Sequence, residues 1–184
     1  MHRCFHTRRG NRGRAPFSPN FPGATIFADV KLVDGAKKYV MAAAKGGASL
    51  VTVCGVAGDA SIRQAVEGGH ESGTKIVVDL YATPDPLRRA RECVDMGADL
   101  IYLHYGGDQQ DANPAGNLTL YMLPLVKKVV DVPIGIVTFD TEMGVAAAQA
   151  GADVVLIGPR PYLDGPDAES KLTDYVQRVK AARA

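Results

Sequence analysis

The stretch Asp29-Val30-Lys31-Leu32-Val33-Asp34 places two carboxylates around one ammonium at the end of an apolar run, Ala24-Thr25-Ile26-Phe27-Ala28. On a strand, Asp29 and Lys31 are two residues apart and share a side, while Val30 points the other way. Asp34 falls where the strand gives way to a loop or a helix start. Charge clustered at the mouth of a sheet costs too much to bury as packing, which makes the triplet a candidate site. The competing reading is a surface salt-bridge cluster. Polar residues recur behind later apolar runs: Asp79, then His104, then Thr138 and Asp140, then Arg160.

These residues need elements to hold them, and the chain supplies a repeating pair. Apolar, strand-like runs cover Thr25–Val30, Leu50–Val53, Lys75–Leu80, Leu100–Leu103, Ile134–Val137 and Val154–Ile157. Helix-like segments follow them at about Gly35–Lys45, Ala60–Glu71, Pro86–Met96, Leu118–Val130, Glu142–Ala150 and Ala168–Ala182. Gly46-Gly47-Ala48-Ser49, Gly97-Ala98-Asp99 and Gly151-Ala152-Asp153 are one helix-exit signal written three times, with glycine where a left-handed cap wants it. Near-continuous apolar strands alternating with helices predict a parallel sheet covered by helices. The first strand is not followed by Gly-x-Gly-x-x-Gly, which argues against a dinucleotide-binding sheet. Polar residues gathered at the strands' C-terminal ends argue for a TIM (β/α)₈-type barrel, α/β in class. The chain provides six βα units where such a barrel has eight, so the expected barrel is incomplete. Its open edge needs cover, from the leader or from a partner chain.

Composition narrows the partners. The chain has 184 residues, 46% hydrophobic and 22% charged, with net charge +1, which suits a globular domain with a full core. That balance gives no argument for nucleic acid, and no apolar run approaches the ~20 residues of a membrane span. Cys4, Cys54 and Cys93 lack a paired spacing and read as reduced thiols, hence a cytoplasmic protein. Residues 1–23 carry Arg3, Arg8, Arg9, Arg12 and Arg14, no acidic residue and no signal-peptide core. They read as a basic, disordered leader or a misplaced gene start, with residues 24–184 as the barrel domain.

At the level of motifs, the chain resembles the orotidine 5′-monophosphate decarboxylase superfamily. The residues that carry the likeness are Ala28-Asp29-Val30-Lys31-Leu32-Val33-Asp34, Val51-Thr52-Val53-Cys54-Gly55-Val56-Ala57, Val78-Asp79-Leu80, and His104-Tyr105-Gly106-Gly107-Asp108-Gln109-Gln110. The resemblance covers about residues 24–182 and is closest to the branch of 3-hexulose-6-phosphate synthase and 3-keto-L-gulonate-6-phosphate decarboxylase. The last motif is similar to the synthase's His-x-Gly-x-Asp-x-Gln loop. Gly35-Ala36-Lys37-Lys38 stands where nucleotide decarboxylases carry Ile-x-Asn-Thr, so decarboxylation of the nucleotide is disfavoured.

The resemblance implies roles. Asp29 matches the aspartate that binds Mg²⁺, a hard cation suited to carboxylates. Lys31 matches the lysine that stabilises an enediolate oxyanion formed from a sugar phosphate. His104 matches the proton donor or acceptor. Asp34 matches an aspartate that crosses into the partner's site, which implies a homodimer. Asp79 matches a substrate-binding carboxylate, with pairing to Lys31 as its other reading. Gly158 and Arg160 match half of the phosphate site.

The chain also departs from that pattern. The family's first two strands, which end in Asp and Glu, would precede residue 24, so the chain reads as truncated there. Thr138-Phe139-Asp140 replaces a phosphate-binding Gly-Gly, and Pro159 is inserted between Gly158 and Arg160. The expected activity is a Mg²⁺-dependent lyase of the hexulose-phosphate synthase type. The alternatives are a keto-gulonate-phosphate or orotidine-monophosphate-like decarboxylase, or a truncated homologue without turnover.

Overall fold

A computed structural model describes residues 3–5, 23–158 and 165–183. They fall into two units, Met1–Ile101 and Tyr102–Ala184.

In the first unit the elements are β1 (Arg3–Phe5), β2 (Ile26–Leu32), α1 (Ala36–Lys45), β3 (Leu50–Cys54), α2 (Asp59–Ser72), β4 (Lys75–Asp79) and α3 (Pro86–Asp95). Strand β5 (Leu100–Leu103) begins at its end. Neighbouring strands β1 to β4 pair in parallel, with Phe27 opposite Leu50 and Leu50 opposite Lys75. Val51, Val53, Val77 and Val78 are wholly buried, as strands covered on both faces require. Helices α1 and α2 approach closely because Gly68 has no side chain: a Cβ there would meet the Lys37 backbone at 3.2 Å.

The second unit holds α4 (Gly107–Ala112), α5 (Thr119–Lys127), β6 (Ile134–Thr138), α6 (Thr141–Gln149), β7 (Val154–Ile157) and α7 (Ala168–Ala181). Strands β6 and β7 are parallel, from Gly135 opposite Val154 to Thr138 opposite Ile157. Helix α7 docks through Tyr175 and Val179 against Ala148 of α6.

The repeated helix-exit signal is now a physical device. Gly47, Gly97 and Gly151 all take positive φ (91°, 101° and 84°). The residue that ends each signal then ties down the start of the preceding strand. Ser49 Oγ accepts from Ile26 N–H, Asp99 Oδ2 from Ile76 N–H and Asp153 Oδ2 from Ile134 N–H, at 3.3, 2.8 and 2.9 Å.

Among the described residues from Ile26 onward the strands number six, as expected, and their bounds agree to within two residues. Two differences stand out. Arg3–Phe5, in the leader expected to be disordered, forms a strand paired with Ile26–Ala28, so the cover expected for the edge of β2 comes from three leader residues. The Gly-Gly-Asp-Gln-Gln segment, read as a loop, forms helix α4, with the Gln109 side chain accepting from Gly106 N–H at 3.0 Å.

Candidate active site

Strand β2 does not run regularly through its charged residues. Ala28 pairs with Val51 and Leu32 with Val53, so Asp29, Val30 and Lys31 together oppose the single residue Thr52. This is a bulge, a device that re-aims side chains. Lys31 takes φ +48°, in the left-handed region a non-glycine residue enters at a cost of ~1–3 kcal/mol. Simple alternation is therefore broken where the sequence assumed it, and the bulge brings Asp29 and Lys31 together by a different route.

Three charged groups meet there. Lys31 Nζ lies 2.7 Å from Asp79 Oδ2 and 3.2 Å from Asp29 Oδ2. The Asp79 side chain is fully buried at the end of β4, while that of Asp29 keeps 11% of its surface exposed and that of Lys31 34%. Tyr81 N–H donates to Asp79 Oδ1 at 2.9 Å, so both oxygens of this carboxylate have partners. Burial by itself lowers the Lys31 pKa, but the adjoining charge and hydrogen bond of Asp79, with those of Asp29, outweigh it and hold the ammonium above its ordinary range. Cys54 ends β3 beside this group. Burial, reinforced by the Asp79 charge and opposed by Lys31, pushes its thiol up to about 11, so it is an inert neighbour.

One contributor has no signal in the sequence beyond its place in Val51-Thr52-Val53. The buried Thr52 hydroxyl accepts from Val30 N–H and Lys31 N–H, each at 2.9 Å, and donates to Asp29 Oδ1 at 3.0 Å.

The remaining expected residues stand as follows. Asp34 is exposed on the bend after β2. His104 directly follows β5 in the second unit, half-buried, its ring stacked on Tyr102 with centroids 5.2 Å apart. Gly158 is buried after β7, and its N–H donates to Thr138 O at 2.8 Å. A Cβ on Gly158 would meet the Phe139 ring at 3.1 Å, so this ring packs directly over the glycine. Asp140 caps α6, its Oδ1 accepting from Met143 N–H at 2.7 Å. That helix start, an anion site in principle, already holds a carboxylate of its own chain. Arg160 lies outside the described residues.

The donor set can be tested against the expected Mg²⁺. Among the described residues no three His, Cys, Asp or Glu side chains converge into a metal cage. Asp29 and Asp79 offer the hard oxygens Mg²⁺ prefers. Both are bonded within the protein, Asp79 by Lys31 and Tyr81 and Asp29 by Thr52 and Lys31, but Asp29 alone of the two keeps some exposure. A largely hydrated ion held through the partly exposed Asp29 fits this set. Among the described residues no helix is long and apolar enough to cross a membrane.

Parallel strand–helix repeats with charged residues at the strand ends, six βα units among the described residues, define an incomplete (β/α)₈-type barrel. Residues 20–172 match the model of the orotidine 5′-phosphate decarboxylase / HUMPS family, and the chain belongs to that family. It is 39% identical over 143 residues to 3-hexulose-6-phosphate synthase 3 of Staphylococcus saprophyticus, covering 76% of this chain. It spans 66% of that relative's length, just under two thirds. The crystal structure of 3-hexulose-6-phosphate synthase from Salmonella typhimurium superposes with a TM-score of 0.80 at 27% identity, over 90% of this chain and 78% of that one. For 3-keto-L-gulonate-6-phosphate decarboxylase from Vibrio cholerae the TM-score is 0.73 at 19% identity, over 90% and 76%, a likeness of fold alone.

Proposed function

We propose that the chain is a lyase of the 3-hexulose-6-phosphate synthase type, joining formaldehyde to a pentulose phosphate such as ribulose 5-phosphate or, in reverse, splitting it from the resulting hexulose phosphate. The observation that carries this reading is the Asp29–Lys31–Asp79 group, a strained lysine held protonated between two carboxylates. A fixed ammonium of this kind acts where negative charge develops, at the oxygen of an enediolate. The similarity to hexulose-phosphate synthases favours the aldol over decarboxylation.

In this reading Lys31 holds the enediolate oxygen, and Asp79 fixes the Lys31 ammonium in place. His104, placed by its loop motif, moves the proton at the reacting carbon. Asp29 would hold Mg²⁺, which would supply Lewis-acid stabilisation of developing negative charge when bound. Exposed Asp34 reaches a partner subunit's site in a homodimer. The test is direct: purified protein with Mg²⁺, ribulose 5-phosphate and formaldehyde, followed by disappearance of formaldehyde. Consumption that Lys31→Ala abolishes supports the reading, and release of carbon dioxide from 3-keto-L-gulonate 6-phosphate instead supports the decarboxylase.

A second reading, a homologue without turnover, has its own observation. Phe139 packs over Gly158 and Asp140 caps α6, both where relatives are expected to bind phosphate. No formaldehyde consumption, together with no protection from heat by ribulose 5-phosphate, would favour it.

A further inference from the structure

We infer that Thr52 is a positioning residue whose hydroxyl holds the β2 bulge and thereby sets where the Lys31 ammonium stands. The role rests on the lyase reading only for its effect on turnover; its geometry stands alone. Across the bulge three residues of β2 face one residue of β3, so a ladder of backbone carbonyls cannot serve every N–H in the gap. The Thr52 hydroxyl takes two of them, Val30 N–H and Lys31 N–H, and spends its proton on Asp29 Oδ1. A hydroxyl has one donor and two acceptor positions, and here all three are used.

The consequences converge on one side chain. The Lys31 N–H is anchored in a backbone conformation that a lysine does not adopt unaided. Asp29 is turned so that its second oxygen meets Lys31 Nζ at 3.2 Å. Thr52 bonds the backbone of Lys31, and so fixes both the backbone from which Lys31 projects and one of the two carboxylates that receive it. Being wholly buried, it also keeps water from competing for the two N–H groups.

Valine is the informative replacement, nearly the same shape with no hydroxyl, and serine keeps the hydroxyl while losing the methyl. Two readouts separate this inference from the lyase reading. The first is acetylation of Lys31 by an N-hydroxysuccinimide ester, followed by peptide mass spectrometry, with Lys75 (paired to Asp99 elsewhere on the surface) as internal standard. Thr52→Val should raise the Lys31 labelling several-fold relative to Lys75, because a released bulge lets the side chain leave its two carboxylates for solvent. Thr52→Ser should stay near wild type. The second readout is turnover: Thr52→Val should lower kcat by about 10²-fold, the cost of a misplaced catalytic group, with KM little changed. Thr52→Ser should restore it. Should the valine variant fail to fold, Thr52→Cys, a weak donor and acceptor of similar size, should give an intermediate Lys31 rate. A folded Thr52→Val or Thr52→Cys protein with wild-type Lys31 labelling overturns the inference, as does a serine variant as damaged as valine. If the wild-type protein consumes no formaldehyde, the lyase reading falls while the labelling still decides the role of Thr52.

Discussion

Lys31 Nζ lies 2.7 Å from Asp79 Oδ2, a carboxylate whose side chain is wholly withdrawn from water. Asp79 therefore has a stake in stability as well as in chemistry, because a buried charge tolerates the loss of its partner poorly.

Lys31→Ala should stop turnover and also weaken the fold. Loss of one oxyanion-stabilising charge costs on the order of 10²–10³ in rate. Stranding a fully buried carboxylate costs roughly 3–5 kcal/mol, and less here because Lys31 is itself a third exposed. Urea titration of Lys31→Ala and of Lys31→Ala/Asp79→Asn checks this, with the double variant regaining stability but no activity. A single variant as stable as wild type would mean that Asp79 does not depend on Lys31.

Alkaline pH should loosen the protein in a defined window. Lys31, raised above its ordinary range, contributes stability fully below the unfolded lysine value and loses it as pH climbs through the folded one. The buried thiols act in the same sense. Cys54 and Cys93, each pushed from 9.0 to about 11 mainly by burial, favour the folded state less and less as pH rises above 9. Denaturant midpoints should thus hold level from pH 7 to about 9 and fall between about 9 and 11. In Cys54→Ala/Cys93→Ala the fall should be smaller and begin later. A flat profile to pH 11 would contradict the group's assignment.

Chelation should abolish lyase activity, and Mg²⁺ should restore it only at high concentration. Asp29 is the one carboxylate of the group that keeps some exposure to water, and a hydrated ion held through one carboxylate exchanges easily. Activity measured against free Mg²⁺ after EDTA treatment tests this. Saturation at trace metal would reveal a further ligand, and activity surviving EDTA would remove the metal from the reaction.

Asp140→Ala should trade stability for anion binding. Losing an N-cap costs about 1 kcal/mol, visible as a lower melting temperature. It also frees Met143 N–H and removes a negative charge from a helix start that favours anions. Inorganic phosphate should protect this variant from heat more than it protects wild type. Equal protection of both would show that phosphate does not bind at the α6 start.

Gly144→Ala should be harmful despite its gain in helix propensity, because Gly144 is buried on the inner face of α6. The new Cβ would meet Tyr175 Cε2 at 2.6 Å, and Tyr175 OH shares a 2.6 Å hydrogen bond with the buried Thr138 hydroxyl. Overpacking of this kind costs roughly 1–3 kcal/mol, against a small gain from helix propensity. Thermal melting of the variant checks it.

The parallel strand–helix repeat was legible because hydrophobic period and glycine punctuation are local. Val51, Val53, Val77 and Val78 lie in apolar runs that only doubly covered strands explain, and Gly47, Gly97 and Gly151 mark left-handed turns wherever they occur. Asp29 and Lys31 could likewise be named in advance, since their motif is contiguous. The structure brings Asp79 to Lys31 as the alternative reading of that residue foresaw.

Other features depended on pairings that no local signal encodes. The bulge in β2 exists because Ala28 and Leu32 are registered against Val51 and Val53, and a mismatch of register belongs to two strands together. Thr52 reads as an ordinary strand threonine until that mismatch places the Val30 and Lys31 N–H groups over its hydroxyl. Arg3–Phe5 carries no strand pattern of its own and becomes a strand only by pairing with the edge of β2. The sequence alone thus determined which charges could do chemistry, through side-chain type and spacing. Tertiary structure decided how one lysine is aimed, because its backbone is held by a hydroxyl from the neighbouring strand, more than twenty residues further along the chain.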